Sequence, residues 1–139
     1  MVTITTRPTT VSAHLDKEGR GEVQAHSGAR MALAAMAKDE GMTPLELMDA
    51  ALAGCLVLSA RIAARKFGWQ DRLESVSVDV THTKGEGAPS RVAQFACDFD
   101  IKGDFTDEER QRLITESHAV CTVGNTIERG ADIVDVERQ

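Results

Sequence analysis

The stretch Met42–Gly68, MTPLELMDAALAGCLVLSARIAARKFG, constrains the fold more than any other part of the chain. Thr43 is a good helix N-cap, Pro44 suits the first helical position, and Glu46, three residues after Thr43, completes a capping box. A helix is therefore predicted from Pro44 to about Phe67. Gly68 closes it, with Arg61, Arg65 and Lys66 near the negative end of its dipole. At ~1.5 Å per residue it would run ~36 Å, long for a chain of 139 residues. From Ala50 to Ala60 its side chains are apolar or small all the way round, so it must be buried on most sides. A chain of this size has little spare material to wrap it. A homodimer that packs two such helices centrally, with sheets outside, would solve the problem, and Gly54 with its neighbouring alanines would permit close approach.

The remaining elements follow from periodicity and punctuation. Val11, Ala13 and Leu15 alternate, DKEGRGE turns, and Val23 and Ala25 follow, which predicts a hairpin. A third strand is expected near residues 30–34. LESVSVDVTHT (73–83) alternates with Val76, Val78 and Val80 on one face. RVAQFACDFDI (91–101) alternates with Phe95, Cys97, Phe99 and Ile101 on one face. The two are expected to pair antiparallel across the turn residues KGEGAPS. Thr106 and Glu109 form a second capping box, opening a helix to about Val120. ADIVDVE (131–137) reads as a last strand. The class is α+β in a single domain spanning 1–139, without repeats, low-complexity tracts or a linker.

Composition excludes several functions. The net charge of −6 leaves no basic face for nucleic acid or anionic membrane. Aromatic residues are only 4% of the chain, too few for base-stacking platforms. The opening MVTITTRPTTVSAH has neither the apolar segment nor the cleavage pattern of a secretory signal. The uncharged apolar run at 50–60 is shorter than a bilayer span. A cytoplasmic protein is expected, and its three cysteines are then thiols rather than a disulfide scaffold.

Each thiol has a plain reading and a chemical one. Cys55 lies on the helix stripe Met48, Leu52, Cys55, Ser59, Ile62, and spacing alone favours a buried core thiol. The middle of a helix lacks the N-terminal field that lowers a thiol pKa, so a reactive Cys55 would need a cation or donor from elsewhere in the fold. Cys121 ends the second predicted helix with His118 three residues before it. The pair could form a reactive thiol or half a metal site, but two ligands are not a site and no further cluster completes one. For Cys121 a helix-end structural thiol and a redox role stand level. Cys97, between Phe95 and Phe99, reads as core. EGRGE (18–22) lacks phosphate-loop spacing. His14, His26 and His82 are scattered, and the capping box fully explains Glu46.

TPLELMDAALAGC followed by HAVCTVGNTIERG resembles the OsmC/Ohr family of thiol-dependent hydroperoxide reductases. The shared pattern is Pro-x-Glu-Leu, a small-residue run ending at a cysteine, two strands, a helix and His-x-x-Cys, over about residues 8–137. The resemblance implies an OsmC-like fold: an intertwined homodimer with two long central helices flanked by antiparallel sheets. It implies Cys55 as the peroxidatic nucleophile and Cys121 as the resolving thiol, with Arg20 and Glu46 as the activating pair. It further implies organic hydroperoxide substrates, with hydrogen peroxide a further candidate, a dithiol or thiol reductant, and no metal or other cofactor. The chain departs from the best-defined peroxidases at Leu45, which follows Pro44 where they carry Glu, so that Glu46 is displaced by ~100° around the helix. It also lacks a proline after Cys121. The alternative is a non-catalytic dimer that binds a small apolar ligand or senses oxidants through its thiols.

Overall fold

The computed structural model describes residues 6–138; residues 1–5, the start of the segment tested for a secretory signal, lie outside it. The contacts divide the chain at Met48 and Asp49 into two compact units.

In the N-terminal unit three strands form an antiparallel meander: β1 (Val11–Leu15), β2 (Gly21–Ala25) and β3 (Arg30–Leu33). Val11 faces Ala25 and Leu15 faces Gly21 in the first pair; Gly21 faces Leu33 in the second. The first turn is built by Asp16, whose carboxylate accepts the backbone N–H groups of Glu18 and Arg20 at 3.0 and 2.9 Å. Val11 and Leu15 are exposed, each at 66%.

The long helix α1 spans Pro44–Lys66. Its capping box is present: Thr43 Oγ1 accepts the Glu46 N–H at 3.2 Å, and Glu46 Oε1 accepts the Thr43 N–H at 3.4 Å and the Thr43 hydroxyl at 3.0 Å. Gly68 ends it at φ +73°. Its N–H donates to the Arg65 carbonyl at 3.1 Å, and the Trp69 N–H donates to Ala64 at 2.7 Å. That crossed pair is the Schellman arrangement, and it needs a residue free to adopt positive φ. A short 3₁₀ turn, Gln70–Arg72, leads into β4.

In the C-terminal unit β4 (Leu73–Lys84) and β5 (Val92–Gly103) form a two-stranded antiparallel sheet. Its register sets Val76 opposite Ile101, Val78 opposite Phe99, Val80 opposite Cys97 and His82 opposite Phe95. These residues share one face, as the alternation requires. On that face lie two apolar clusters. One gathers Ala63, Ala64, Ile101, Phe105 and Leu113; the other gathers Leu52, Leu56 and Cys121 with Cys55, Val80 and Cys97 against them. Helix α2 (Asp107–Val120) starts at the Thr106–Glu109 box, where Arg72 also donates to Glu109 at 2.6 Å.

Among the described residues one element is added to the expected set and one expectation is corrected. TVGNTIER forms a further helix, α3 (Thr122–Arg129). And 131–138 is not a strand. Its alternation is real, but Ile133, Val134 and Val136 stand 96%, 75% and 86% exposed. Alternation gives a strand two faces; it does not supply the neighbour whose N–H and C=O groups a ladder requires.

Helix α1 is only partly covered. Leu52, Leu56, Ser59, Ala60, Ala63 and Ala64 are buried, whereas Leu58 and Ile62 are 63% and 56% exposed. By length and composition α1 could cross a membrane, contrary to the reading from its uncharged run; the core helix of a globular protein meets the same criterion.

Candidate functional site

The site is organised by the start of α3. A helix leaves its first N–H groups without intrahelical partners. Here Cys121 is the N-cap residue, and its sulfur accepts the Gly124 N–H at 3.3 Å. The N–H groups of Thr122 and Val123 act instead on the sulfur of Cys55 in α1. One helix terminus thus addresses both thiols, and Cys55 and Cys121 each shift the acidity of the other. Cys55 is partly exposed, whereas Cys121 is fully buried.

The electrostatics of the two thiols are opposed. Burial alone would push the Cys55 thiol up. The Val123 N–H, the Cys121 thiol, the Ser59 hydroxyl and the Thr122 N–H together outweigh burial and bring it below the ordinary thiol value. Donors aimed at sulfur favour the thiolate, and N–H groups at a helix start are a recognised source of them. Cys121 moves the other way. Burial pushes it up, the hydrogen bond with Cys55 adds to that, and the Gly124 N–H offsets only part. The fold therefore favours the thiolate at Cys55 and the protonated thiol at Cys121. Cys97 is raised by burial, in keeping with a core thiol.

The other sequence candidates occupy local roles. Arg20 is in the N-terminal unit, its side chain 79% exposed and its Nε 3.0 Å from Asp16 Oδ2. Glu46 is held in its capping box. His118 meets the Phe99 ring edge-on, the centroids 5.5 Å apart, and is not among the groups acting on Cys121. No group of metal-ligating side chains occurs among the described residues.

Two features escape sequence reading. In the sequence Ser59 is only one position of a helix stripe; in the fold, one turn after Cys55 and 3% exposed, it is one of the thiol's donors. His82 Nδ1 lies 2.6 Å from Asp49 Oδ2, joining β4 to α1, while Asp49 Oδ1 is buried without a partner. A polar residue on each otherwise apolar stripe, Ser59 on α1 and His82 on β4, is the available signal.

A cavity of about 360 Å³ lies between β5, α1 and the α2–α3 segment, with Leu52, Phe95, Cys97, His118, Gly124 and Glu128 in its wall; neither Cys55 nor Cys121 lines it.

The family profile described as OsmC-like protein matches residues 37–135, which include both Cys55 and Cys121 but not Arg20. No curated protein sequence matches. Among solved structures, an OsmC-like protein from Mycoplasma pneumoniae superposes with a TM-score of 0.77 at 16% identity, covering 89% of each chain. An organic hydroperoxide resistance protein OsmC from Legionella pneumophila, also described as a predicted redox protein, gives 0.72 at 22% identity over 89% of this chain and 91% of that one. The organic hydroperoxide resistance protein OhrB of Bacillus subtilis gives 0.67 at 17% identity over 84% and 87%. At these identities the likeness establishes the fold, an α+β OsmC-like fold. With the profile spanning most of the chain and both cysteine motifs, the protein belongs to the OsmC-like family.

Proposed function

We propose that this protein is a thiol-dependent peroxidase that reduces organic hydroperoxides through Cys55, with Cys121 as the resolving thiol. The observation that carries the reading is the opposed setting of the two sulfurs at the start of α3. The Cys55 thiolate attacks the distal oxygen of the hydroperoxide. The O–O bond breaks, the alkoxide takes a proton and leaves as an alcohol, and Cys55 becomes a sulfenic acid. The Cys121 sulfur then attacks the sulfenic sulfur, water leaves, and a disulfide forms. A dithiol or other thiol reductant restores both thiols. Hydroperoxide resistance proteins among the structures sharing this fold support the reading. Arg20 and Glu46 enter it as the outer activating pair that the family resemblance implies. Since Asp16 holds the first and Thr43 the second, that role would require both to exchange partners.

The working unit in this proposal is an intertwined homodimer in the cytoplasm. A Cβ placed on Gly54 would meet nothing within 4 Å in this chain. The close approach that glycine permits is therefore available to a second copy. Leu58 and Ile62 on α1 and Ile133, Val134 and Val136 in the tail are apolar and exposed, an unusual load for a monomer.

The test is mass spectrometry of the reduced protein before and after one equivalent of cumene hydroperoxide, with peptide mapping. The expected product has lost two hydrogens and carries a Cys55–Cys121 link. Both thiols still free would refute the peroxidase and leave the ligand-binding or sensing dimer.

A further inference from the structure

Helix α3 carries Gly124, Ile127 and Glu128 on one face, spaced as i, i+3 and i+4. That face forms one wall of the cavity of about 360 Å³. Leu52 of α1, Phe95 of β5 and His118 near the end of α2 supply the others. The volume lies within the ~300–1,000 Å³ typical of small-molecule sites. The body of the cavity is apolar. Leu52 is 4% exposed and belongs to the buried cluster against which Phe95 packs. Gly124 brings no side chain to fill the space, and Ile127, 36% exposed, adds apolar surface.

The charge in the wall has one sign. Glu128 is its only carboxylate, and neither a lysine nor an arginine lines it. Glu128 is exposed, and no ion pair among the described residues engages it. His118 meets Phe99 edge-on and brings ring nitrogens, one of which accepts a hydrogen bond when the imidazole is neutral. A carboxylate without a counter-ion beside an apolar hollow attracts a cationic amphiphile and repels an anionic one. The net charge of −6 adds to that bias.

We propose that this cavity is a binding site for a small organic cation with an apolar body, a primary alkylammonium. Its ammonium donates to the Glu128 carboxylate, with His118 as a second acceptor. Its chain lies against Leu52, Phe95 and Ile127. The site is separate from the thiol pair, because neither Cys55 nor Cys121 lines the cavity. It therefore stands whether or not Cys55 reduces hydroperoxides, and binding makes and breaks no covalent bond.

The test is equilibrium dialysis of the full chain against octylammonium chloride, below the concentration at which micelles form. Saturable retention at one site per chain is expected; no saturable retention overturns the proposal. Octanoate has the same chain length and the opposite charge, and is expected to bind more weakly. Octanoate retained as tightly as octylammonium overturns the assignment of a cation. Glu128→Gln keeps the shape and removes the charge. Its affinity for octylammonium should fall about two- to fivefold, the range of an exposed ion pair, and an unchanged affinity overturns the proposal. Ile127→Trp fills the cavity from α3 and should abolish retention. Full retention by that variant, once shown to be folded, puts the ligand elsewhere and overturns the proposal. If the variant does not fold, Ala93→Leu on β5, also in the wall, serves the same purpose.

Discussion

Replacing Ser59 with alanine removes one donor from the Cys55 sulfur and little else. Ser59 is 3% exposed and one helical turn from Cys55, and the hydroxyl is the only group lost. A hydrogen bond to a charged acceptor contributes about 1.5–3 kcal/mol. Because Cys55 is partly exposed, the lower end applies, and ~1.4 kcal/mol corresponds to about a tenfold fall in the thiolate population wherever the thiol is mostly protonated. A more basic thiolate is also a better nucleophile. With a Brønsted coefficient near ~0.45, about threefold of that loss returns as intrinsic reactivity. The net expectation is alkylation of Cys55 about threefold slower near neutral pH and about threefold faster at alkaline pH, where both proteins are fully ionised. Iodoacetamide labelling across pH, read at the Cys55 peptide by mass spectrometry, measures both limbs. Peroxide turnover near neutral pH should fall by a similar factor. The crossing of the two profiles is the decisive feature. A variant that is slower at every pH has been damaged structurally, and one that superposes on the parent shows that Ser59 does not stabilise the thiolate. Either result would refute the assignment of Ser59 as a donor that activates Cys55.

Four further outcomes are expected. Leu56 has no exposure, so Leu56→Ala should lower stability by about 2–5 kcal/mol, measurable by urea unfolding. Gly68→Ala forces a side chain into the positive-φ position that closes α1 and should cost about 1 kcal/mol or more in the same assay. Asp49→Ala removes the partner of His82 and should destabilise the fold by about 1–3 kcal/mol; an unchanged unfolding midpoint would show that the pair contributes nothing. The Arg72 guanidinium, with the Thr106 N–H, holds the Glu109 carboxyl below its usual value of 4.5. A depressed carboxyl stabilises the fold above its unfolded-state pKa and loses that contribution as pH falls through the folded value. Glu109→Gln should therefore flatten the dependence of melting temperature on pH below about 4.5, and identical acid limbs in the two proteins would refute the assignment.

Much of the architecture is written in local patterns. Thr43, Pro44 and Glu46 dictate where α1 begins, and Gly68 dictates where it ends, because capping groups act within one turn of the residues they serve. Val76–Val80 and Phe95–Ile101 alternate so strictly that only one face of each strand can enter the core, and the observed register joins those faces. The two cysteine motifs, taken together, carry the family. Other features depend on distant neighbours. The tail at 131–137 has a strand's alternation without a strand's partner in this chain. Helix α3 is hidden in the sequence because Gly124 and Asn125 are poor helix formers, whereas Cys121 at its N-cap and Gly130 at its end, with φ +77°, hold it in place.

The chemistry of the site turns on that helix. The sequence by itself determined that Cys55 sits in the middle of α1, where its own helix offers no free N–H group and no dipole field. It also determined that a second thiol follows the next helix. Only the tertiary structure decided at which of the two the thiolate is favoured. It brings the unpaired N–H groups of Thr122 and Val123 to Cys55 and leaves Cys121 buried beneath Gly124. Thiol acidity depends on donors within hydrogen-bond reach, and in this fold those donors lie on another helix, so no spacing along the chain could reveal them.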